Sequence, residues 1–518
     1  CHGFANTSKV KGADGNTIVM NSGNTYRMKP DGTHVEQYTW GQVNPFGLTT
    51  DSLGYLYTSD CHSEPIYQLI RGAYYPSFGK PHDGLGFGPQ MFTGYKGSTA
   101  IAGIAFYDAD AYPAAHRGTA FVGDVVTNQI VQFRMTWQGA TPSATEHVFM
   151  DCKDRWFRPV DVKLGPDGAL YIADFYNRII GHYEVPLDHP QRDRHRGRIW
   201  RIVYTGKDVK PAPVRGDWTA AQTRELLEDL QHPNIQVRLF ATHSLVQRGG
   251  KEVIETTKRA LGQEDEVRPL FRAHALWVLE RLGALDTDTL KREAAHPAES
   301  VRVHARRILA DRNRWTEAEQ SLALAGLGDP SPHVQRVSAE AVGLHADPAF
   351  LRPLLDLRQK VPAGDTHRLH TVRLALRNQL RPADAWKTLG EKKLSPEDAK
   401  AVADVALGVP SAEASAFLVR HLSEQAYPLE QVVPFAQHVA RHGTEESQRA
   451  LLAFARGYQP DQPGAQAALA RAVDQGTRQG GRELSGPTRE WVSDLTRRLL
   501  ASREPGPLQQ GIELTRDL

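Results

Sequence analysis

The sequence predicts a multidomain β + α protein: part of a β-propeller over residues 1–207, then an α-helical, HEAT-like solenoid to the end. Three observations predict it. One turn-and-strand phrase recurs four times in the first two hundred residues. A Pro, Val-Arg, Ala phrase then recurs at the spacing of a helical hairpin. The length, 518 residues, exceeds what one hydrophobic core usually serves.

The first phrase runs as Gly12-Ala13-Asp14-Gly15 before Ile18-Val19-Met20, and as Asp51-Ser52-Leu53-Gly54 before Leu56-Tyr57. It returns as His116-Arg117-Gly118 before Ala120-Phe121-Val122, and as Gly165-Pro166-Asp167-Gly168 before Leu170-Tyr171-Ile172. Asp or Pro followed by Gly supplies the positive φ of a tight turn, and β-branched or aromatic residues then suit a pleated surface. The strand-closing residues Asn21, Asp60, Asp124 and Asp174 lie 39, 64 and 50 residues apart, which fits blades of four short strands with loops of variable length. A β-sandwich is the rival, but it leaves the recurring phrase unexplained. Four phrases are few for a propeller and the chain opens inside a strand pattern, so further blades and a leader are expected upstream. The last blade closes with Gly197 to Tyr204, and residues 208–218, with two prolines, read as a linker.

The second phrase is His232-Pro233 with Val237-Arg238 and Ala241, then His296-Pro297 with Val301-Arg302 and Ala305, then Asp329-Pro330 with Val334-Gln335-Arg336 and Ala339. With the degenerate copy at Val267, the valines are 30, 34 and 33 residues apart. Pro suits a first helical turn and Ala lets paired helices approach. HEAT-like repeats are therefore expected over 219–380, with valines and arginines as core and inter-repeat scaffold and a surface that could host a protein partner. Residues 381–518 read as further helix, loosely ordered in places across Gln459–Pro487.

A net charge of +2 provides no field favouring nucleic acid or anionic membrane, and no apolar run reaches membrane-spanning length. The three cysteines, Cys1, Cys61 and Cys152, include no C-x-x-C pair, hence no zinc knuckle and no c-type haem attachment in this chain. Sites on propellers form in loops at one mouth of the channel. The polar loop clusters are His2-Gly3, Gly41 to Leu48, Asp60-Cys61-His62-Ser63-Glu64, His82-Asp83, Arg158 to Asp161, and the stretch holding His182, Glu184, Asp188 and His189. Asp60, His62 and Glu64 alternate along an extended segment, and their carboxylates suit calcium. Aspartates that close strands also commonly just bond backbone turns.

Asn44-Pro45-Phe46-Gly47-Leu48, Leu56 to Asp60, Ile104-Ala105-Phe106-Tyr107, and Val160-Asp161-Val162 with Gly165-Pro166-Asp167-Gly168 resemble the glucose/sorbosone dehydrogenase family. Those soluble quinoproteins are six-bladed propellers using pyrroloquinoline quinone and calcium. His2-Gly3-Phe4 and Phe175 through His182 are similar to a narrower group, the membrane-bound dehydrogenase-like proteins of planctomycetes and verrucomicrobia, which join such a propeller to HEAT repeats and usually a c-type haem domain. The resemblance covers about 200 residues. It implies a periplasmic or cell-surface oxidoreductase that takes hydride from a sugar or alcohol and passes electrons to a haem domain outside this chain. It assigns His2 as catalytic base, Asn44 to the active site and Arg158 to the cofactor; from the residue pattern, Asp161 and His182 are further cofactor candidates and Asp60, His62 and Glu64 are the metal candidates. Two of the family's cofactor arginines are replaced, by Val43 and Val160. That departure keeps a second reading open, a non-catalytic binding module for glycan or protein partners.

Overall fold

The structure is a computed structural model that describes residues 2–97, 100–181, 185–263, 268–390 and 394–517, the side chains of residues 2–6 and 517 apart. The described residues form four antiparallel sheets followed by helices. The first sheet holds β1 (His2–Lys11), β2 (Thr17–Arg27) and β3 (Glu36–Trp40), and the second holds β4 (Pro45–Thr50), β5 (Leu56–Asp60) and β6 (Tyr67–Leu69). The third has four strands, β7 (Ile101–Tyr107), β8 (Thr119–Asp124), β9 (Gln129–Gln138) and β10 (Thr141–Asp151). The fourth has β11 (Pro159–Leu164), β12 (Leu170–Asp174) and β13 (Arg198–Ile202). In every sheet the strands neighbour one another in chain order, each antiparallel to the next, most joined by short turns and β12 joined to β13 by a long loop.

The predicted turns are where the chain reverses. Gly15, Gly54, Gly118 and Gly168 have φ of 87°, 77°, 74° and 76°, a region that side chains with a Cβ avoid. The turn aspartates complete them: Asp51 Oδ1 accepts from the Leu53 and Tyr55 amides, and Tyr57 Oη donates to Asp51 Oδ2 at 2.9 Å. Asp167 repeats the device with the Ala169 amide and Tyr171 Oη. The sheets adjoin in chain order through their first strands, β1 beside β4, β4 beside β7 and β7 beside β11. The described residues make an open series of four sheets, not the closed ring of blades that a propeller requires.

The helices begin with α1 (Thr223–Asp229), α2 (Ile235–Arg248), α3 (Gly250–Leu261), α4 (Pro269–Arg281), α5 (Thr287–Ala294), α6 (Glu299–Asp311), α7 (Glu317–Gly326) and α8 (Pro332–Gly343). α2, α4, α6 and α8 adjoin in sequence, each with an odd-numbered neighbour behind it, so the hairpins stack. Asn234 and Ser331 cap α2 and α8 through their side chains, and Pro332 opens α8 where no amide is needed.

One compact unit comprises Cys1–His82, Gly86–His345 and Lys360–Val372; a second comprises Asp83–Leu85, Ala346–Gln359 and Arg373–Leu518. In the first, the sheets sit on the inner face of the helical stack. One core joins Tyr55, Tyr57, Ile104, Phe106, Val122 and Phe133 to Val303, Val334 and Val337 of α6 and α8. Another joins Tyr107, Phe121, Val162, Leu170 and Ile172 to Ile235 of α2. Burial of such side chains, each worth roughly 1.5–3 kcal/mol, holds the layers together.

Polar contacts fix the registration between sheets and helices. Arg238, 1% exposed, donates to Asp108 Oδ2 (2.7 Å), Ser52 Oγ (3.0 Å) and the carbonyls of His232 and Pro233. Arg307 Nε reaches the Leu53 carbonyl at 2.6 Å, and Arg336 reaches the Ala140 carbonyl at 3.0 Å while also bonding Gln68. The guanidiniums of Arg307 and Arg336 lie 4.6 and 4.4 Å from the Tyr55 ring centroid. Two of the arginines expected to join repeat to repeat, Arg238 and Arg336, thus join helices to sheets. Arg302 does link repeats, through Asp329 at 2.8 Å. The periodicity shows that these residues face inward; it does not show what lies there.

His304 lies in the same layer. Its Nδ1 accepts from Trp277 Nε1 at 3.0 Å, so the proton sits on Nε2, which donates to the Ser52 carbonyl at 2.9 Å. Burial lowers its pKa to about 4, and burial likewise takes His333 to about 4. A histidine depressed in the folded state contributes stability that is complete above its unfolded value near 6.5 and is lost as pH falls to about 4. Asp51, raised to about 6 by burial, slopes the other way between about 4 and 6. The His304 share is therefore read as a difference. In denaturant titrations, the stability lost between pH 6.5 and 4 should be smaller in His304→Gln than in the parent chain by about 3 kcal/mol. Equal losses in both proteins would show that His304 is not held neutral.

The second unit contains α9 (Leu351–Lys360, all but its last residue), the end of α10 (Thr366–Gln379), and α11 (Ala383–Gly390), α12 (Pro396–Ala406), α13 (Ala412–Glu424), α14 (Leu429–His442), α15 (Glu445–Gly457), α16 (Pro463–Gln479), α17 (Gly486–Leu500) and α18 (Pro505–Asp517). The Gln459–Pro487 stretch holds the 17-residue α16, because Ala465, Leu469, Ala472 and Val473 fall at helical spacing and are buried. Among the described residues no helix is long and apolar enough to cross a membrane.

Candidate functional site

Strand register places most of the sequence-predicted site residues at one rim of the sheets. Pro45 pairs with Asp60, Ile101 with Asp124, and Pro159 with Asp174, so Asn44, Asp60, Arg158 and their loops share the strand ends remote from the helix-bound turns. A five-residue strand such as β5 separates the two ends by about 15 Å. His2 starts β1 opposite Thr25, and its side chain lies outside the described part of the structure. His182 and Glu184 lie outside the described residues altogether.

At this rim the closing aspartates share one task. Asp60, 1% exposed, accepts from the amides of Val43 (2.8 Å), Asn44 (3.0 Å) and His62 (3.1 Å). Asp124 accepts from the amides of Val126 and Thr127 and from Tyr95 Oη. Asp174 accepts from the amides of Arg158 and Tyr176, both at 2.8 Å, and from Trp200 Nε1 at 3.0 Å. Each carboxylate pins the two loops that meet above its strand.

Arg158, 7% exposed, is used in the same way. Nε donates to the Asn177 carbonyl (2.8 Å), Nη1 to Val125 and Val126 (2.9 and 3.2 Å) and Nη2 to Arg178 (2.9 Å). Burial lowers its pKa. Four of its five N–H groups are committed to main-chain carbonyls of this chain. Asp161 stands within β11, bonding the Val162 amide and Lys163 Nζ, both at 2.9 Å, and packs so close to Gly103 that a Cβ there would sit 1.9 Å from it. Asn44 Nδ2 donates to Cys61 Sγ at 3.0 Å, and burial raises the Cys61 pKa.

His62, Ser63 and Glu64 line an open cavity of about 150 Å3 with Asp60, Cys61, Gly94, Tyr95 and Gly97, floored by Ile101. Gln90 Nε2 donates to Glu64 Oε1 at 3.2 Å and Tyr67 Oη to Ser63 Oγ at 3.0 Å. Burial raises the Glu64 pKa. Tyr95 and Gln90 were not anticipated, since they come from the irregular chain before β7, where no strand or helix period places a side chain.

The described residues do not fit the implied cofactors. Calcium takes six to eight oxygens, whereas both Asp60 oxygens already accept amides. Among the described residues, no three His, Cys, Asp or Glu side chains gather where they could hold a metal. A tricarboxylated quinone needs guanidiniums facing outward, and Arg158 faces its own backbone while Val43 and Val160 carry no charge.

Residues 2–206 match a family described as a domain of unknown function (DUF7133). No curated protein matches the chain. Among solved structures, one from Thermus thermophilus described as an oxidoreductase (glucose dehydrogenase) is 19% identical, covering 33% of this chain and 48% of its own, with a TM-score of 0.25. A second glucose dehydrogenase is 19% identical over 37% of this chain and 55% of its own, with a TM-score of 0.23. A structure of Kap95p with RanGDP is 12% identical over 59% and 52%, with a TM-score of 0.24. The chain spans about half the length of these proteins. Likenesses this distant establish neither fold nor chemistry.

Proposed function

We propose that the sheet region is a non-catalytic recognition module for a hydroxyl-rich ligand, a glycan, seated in the cavity of Asp60 to Glu64. One observation carries this. Asp60 and Arg158, two of the charged groups that metal and cofactor binding would need, are turned onto the backbone, while His62, Ser63 and Glu64 line open space. A carboxylate, an imidazole and a hydroxyl supply both acceptors and donors for sugar hydroxyls. Calorimetric titration with glucose and short oligosaccharides should give saturable binding, weakened about tenfold in Glu64→Gln, the scale of one hydrogen bond to a charged group. No binding, or binding indifferent to that change, removes the reading.

The rival is the dehydrogenase, acting in the periplasm on a sugar or alcohol and passing electrons to a haem partner. Its support is the set of sequence phrases around Asn44, Phe106 and Asp161. Sugar-dependent dye reduction on adding pyrroloquinoline quinone and calcium would establish it in place of the binding module.

A further inference from the structure

The second unit has a larger cavity, remote in sequence from the sheet rim and in no way dependent on the glycan reading. It lies among α16, α17 and α18 and encloses about 550 Å3, within the range of small-molecule sites. Its floor is apolar, with Leu484, Val492 and Leu514. Its rim carries Arg478, Arg482, Arg489 and Arg497 against two carboxylates, Asp474 and Glu483.

The arginines are held in place without being neutralised as a group. Arg482 spans the end of α14, donating to the carbonyls of Ala440 (2.6 Å), Arg441 (3.0 Å) and Gly443 (2.9 Å). Arg478 pairs with Asp474 at 3.0 Å, one turn back on α16. Arg489 reaches Glu483 at 3.1 Å through Nη2, and Arg497 reaches Asp494 at 2.6 Å through Nη2. A guanidinium has five N–H groups in a planar fork, so a single carboxylate contact at Nη2 leaves donors on Arg489 and Arg497 for a second anion. Both side chains are well exposed, at 61% and 76%, and can swing over an entering ligand.

We propose that this cavity binds a small organic anion whose apolar body lies on Leu484, Val492 and Leu514 and whose carboxylate or phosphate head meets the arginines. The body accounts for the floor and the head for the excess positive charge.

Calorimetry on the full chain at low salt, with phenyl phosphate, benzoate and inorganic phosphate as probes, tests it. Phenyl phosphate or benzoate should saturate one site, and whichever binds tighter identifies the head group. Affinity should fall about tenfold or more in Arg489→Gln/Arg497→Gln, which removes two charge-assisted contacts. The melting temperature without ligand should stay unchanged, since both residues are surface-exposed. Glu64→Gln should leave this binding intact, which separates it from the rim cavity. Absence of saturation, an unchanged affinity in the double variant, or inorganic phosphate binding as well as the aromatic probes would each overturn the assignment.

Discussion

Replacing Arg238 with alanine should lower the unfolding free energy by about 3–5 kcal/mol, the loss typical when one partner of a buried ion pair is removed. Arg238 is almost fully buried, and its removal leaves the Asp108 carboxylate, the Ser52 hydroxyl and two carbonyls without their common donor. His274 also loses a partner, since Arg238 Nε donates to its Nε2 at 3.2 Å. Asp108→Asn in the same chain should restore part of the loss, because no buried charge is then stranded. Urea titration of the three proteins decides it. A loss under about 1 kcal/mol would mean that apolar packing alone seats the helices on the sheets.

Arg158→Met should cost a similar amount, about 3–5 kcal/mol, because four main-chain carbonyls of two loops lose charge-assisted donors. Arg158→Lys should recover part, since an ammonium has three donors but cannot span both loops as a planar fork does. Thermal or denaturant unfolding measures both. Variants that melt like the parent but lose affinity for added quinone would instead make Arg158 a cofactor ligand.

Much of the sheet region was legible because turns are a local matter. A glycine closing an aspartate-bearing turn, as at residues 15, 54 and 168, demands one backbone conformation whatever surrounds it. For the strand-closing aspartates the sequence left two roles open, metal ligand or partner of backbone turns, and the amides gathered on Asp60, Asp124 and Asp174 show the second. Alternation at Asp60, His62 and Glu64 reads as a ligand face while the segment stays extended, but β5 ends at Asp60 and the chain turns, so that carboxylate faces the backbone and the other two face the cavity. Arg158 misled for a related reason: sequence identifies a cation near a loop, and only the folded loop shows that carbonyls have closed around it. The solenoid phrase located its helices by period, yet said nothing of what the inner face of α2, α6 and α8 covers, since that depends on residues some two hundred positions earlier.

The hairpin between β9 and β10 shows what that covering entails. Its tip is clasped from the helical side, with Asp365 accepting from the Ala140 amide and Thr141 Oγ1 at 3.0 Å each, and Arg336 holding the Ala140 carbonyl. The shift in composition near residue 207 is therefore not a seam in packing. Separating the two segments there would strip Ile235, Val303, Val334 and Val337 from the tyrosines and phenylalanines whose cores they complete, and neither piece would inherit a complete interior. A fragment meant to keep the sheets folded should therefore run through α8 rather than stop at the change in composition.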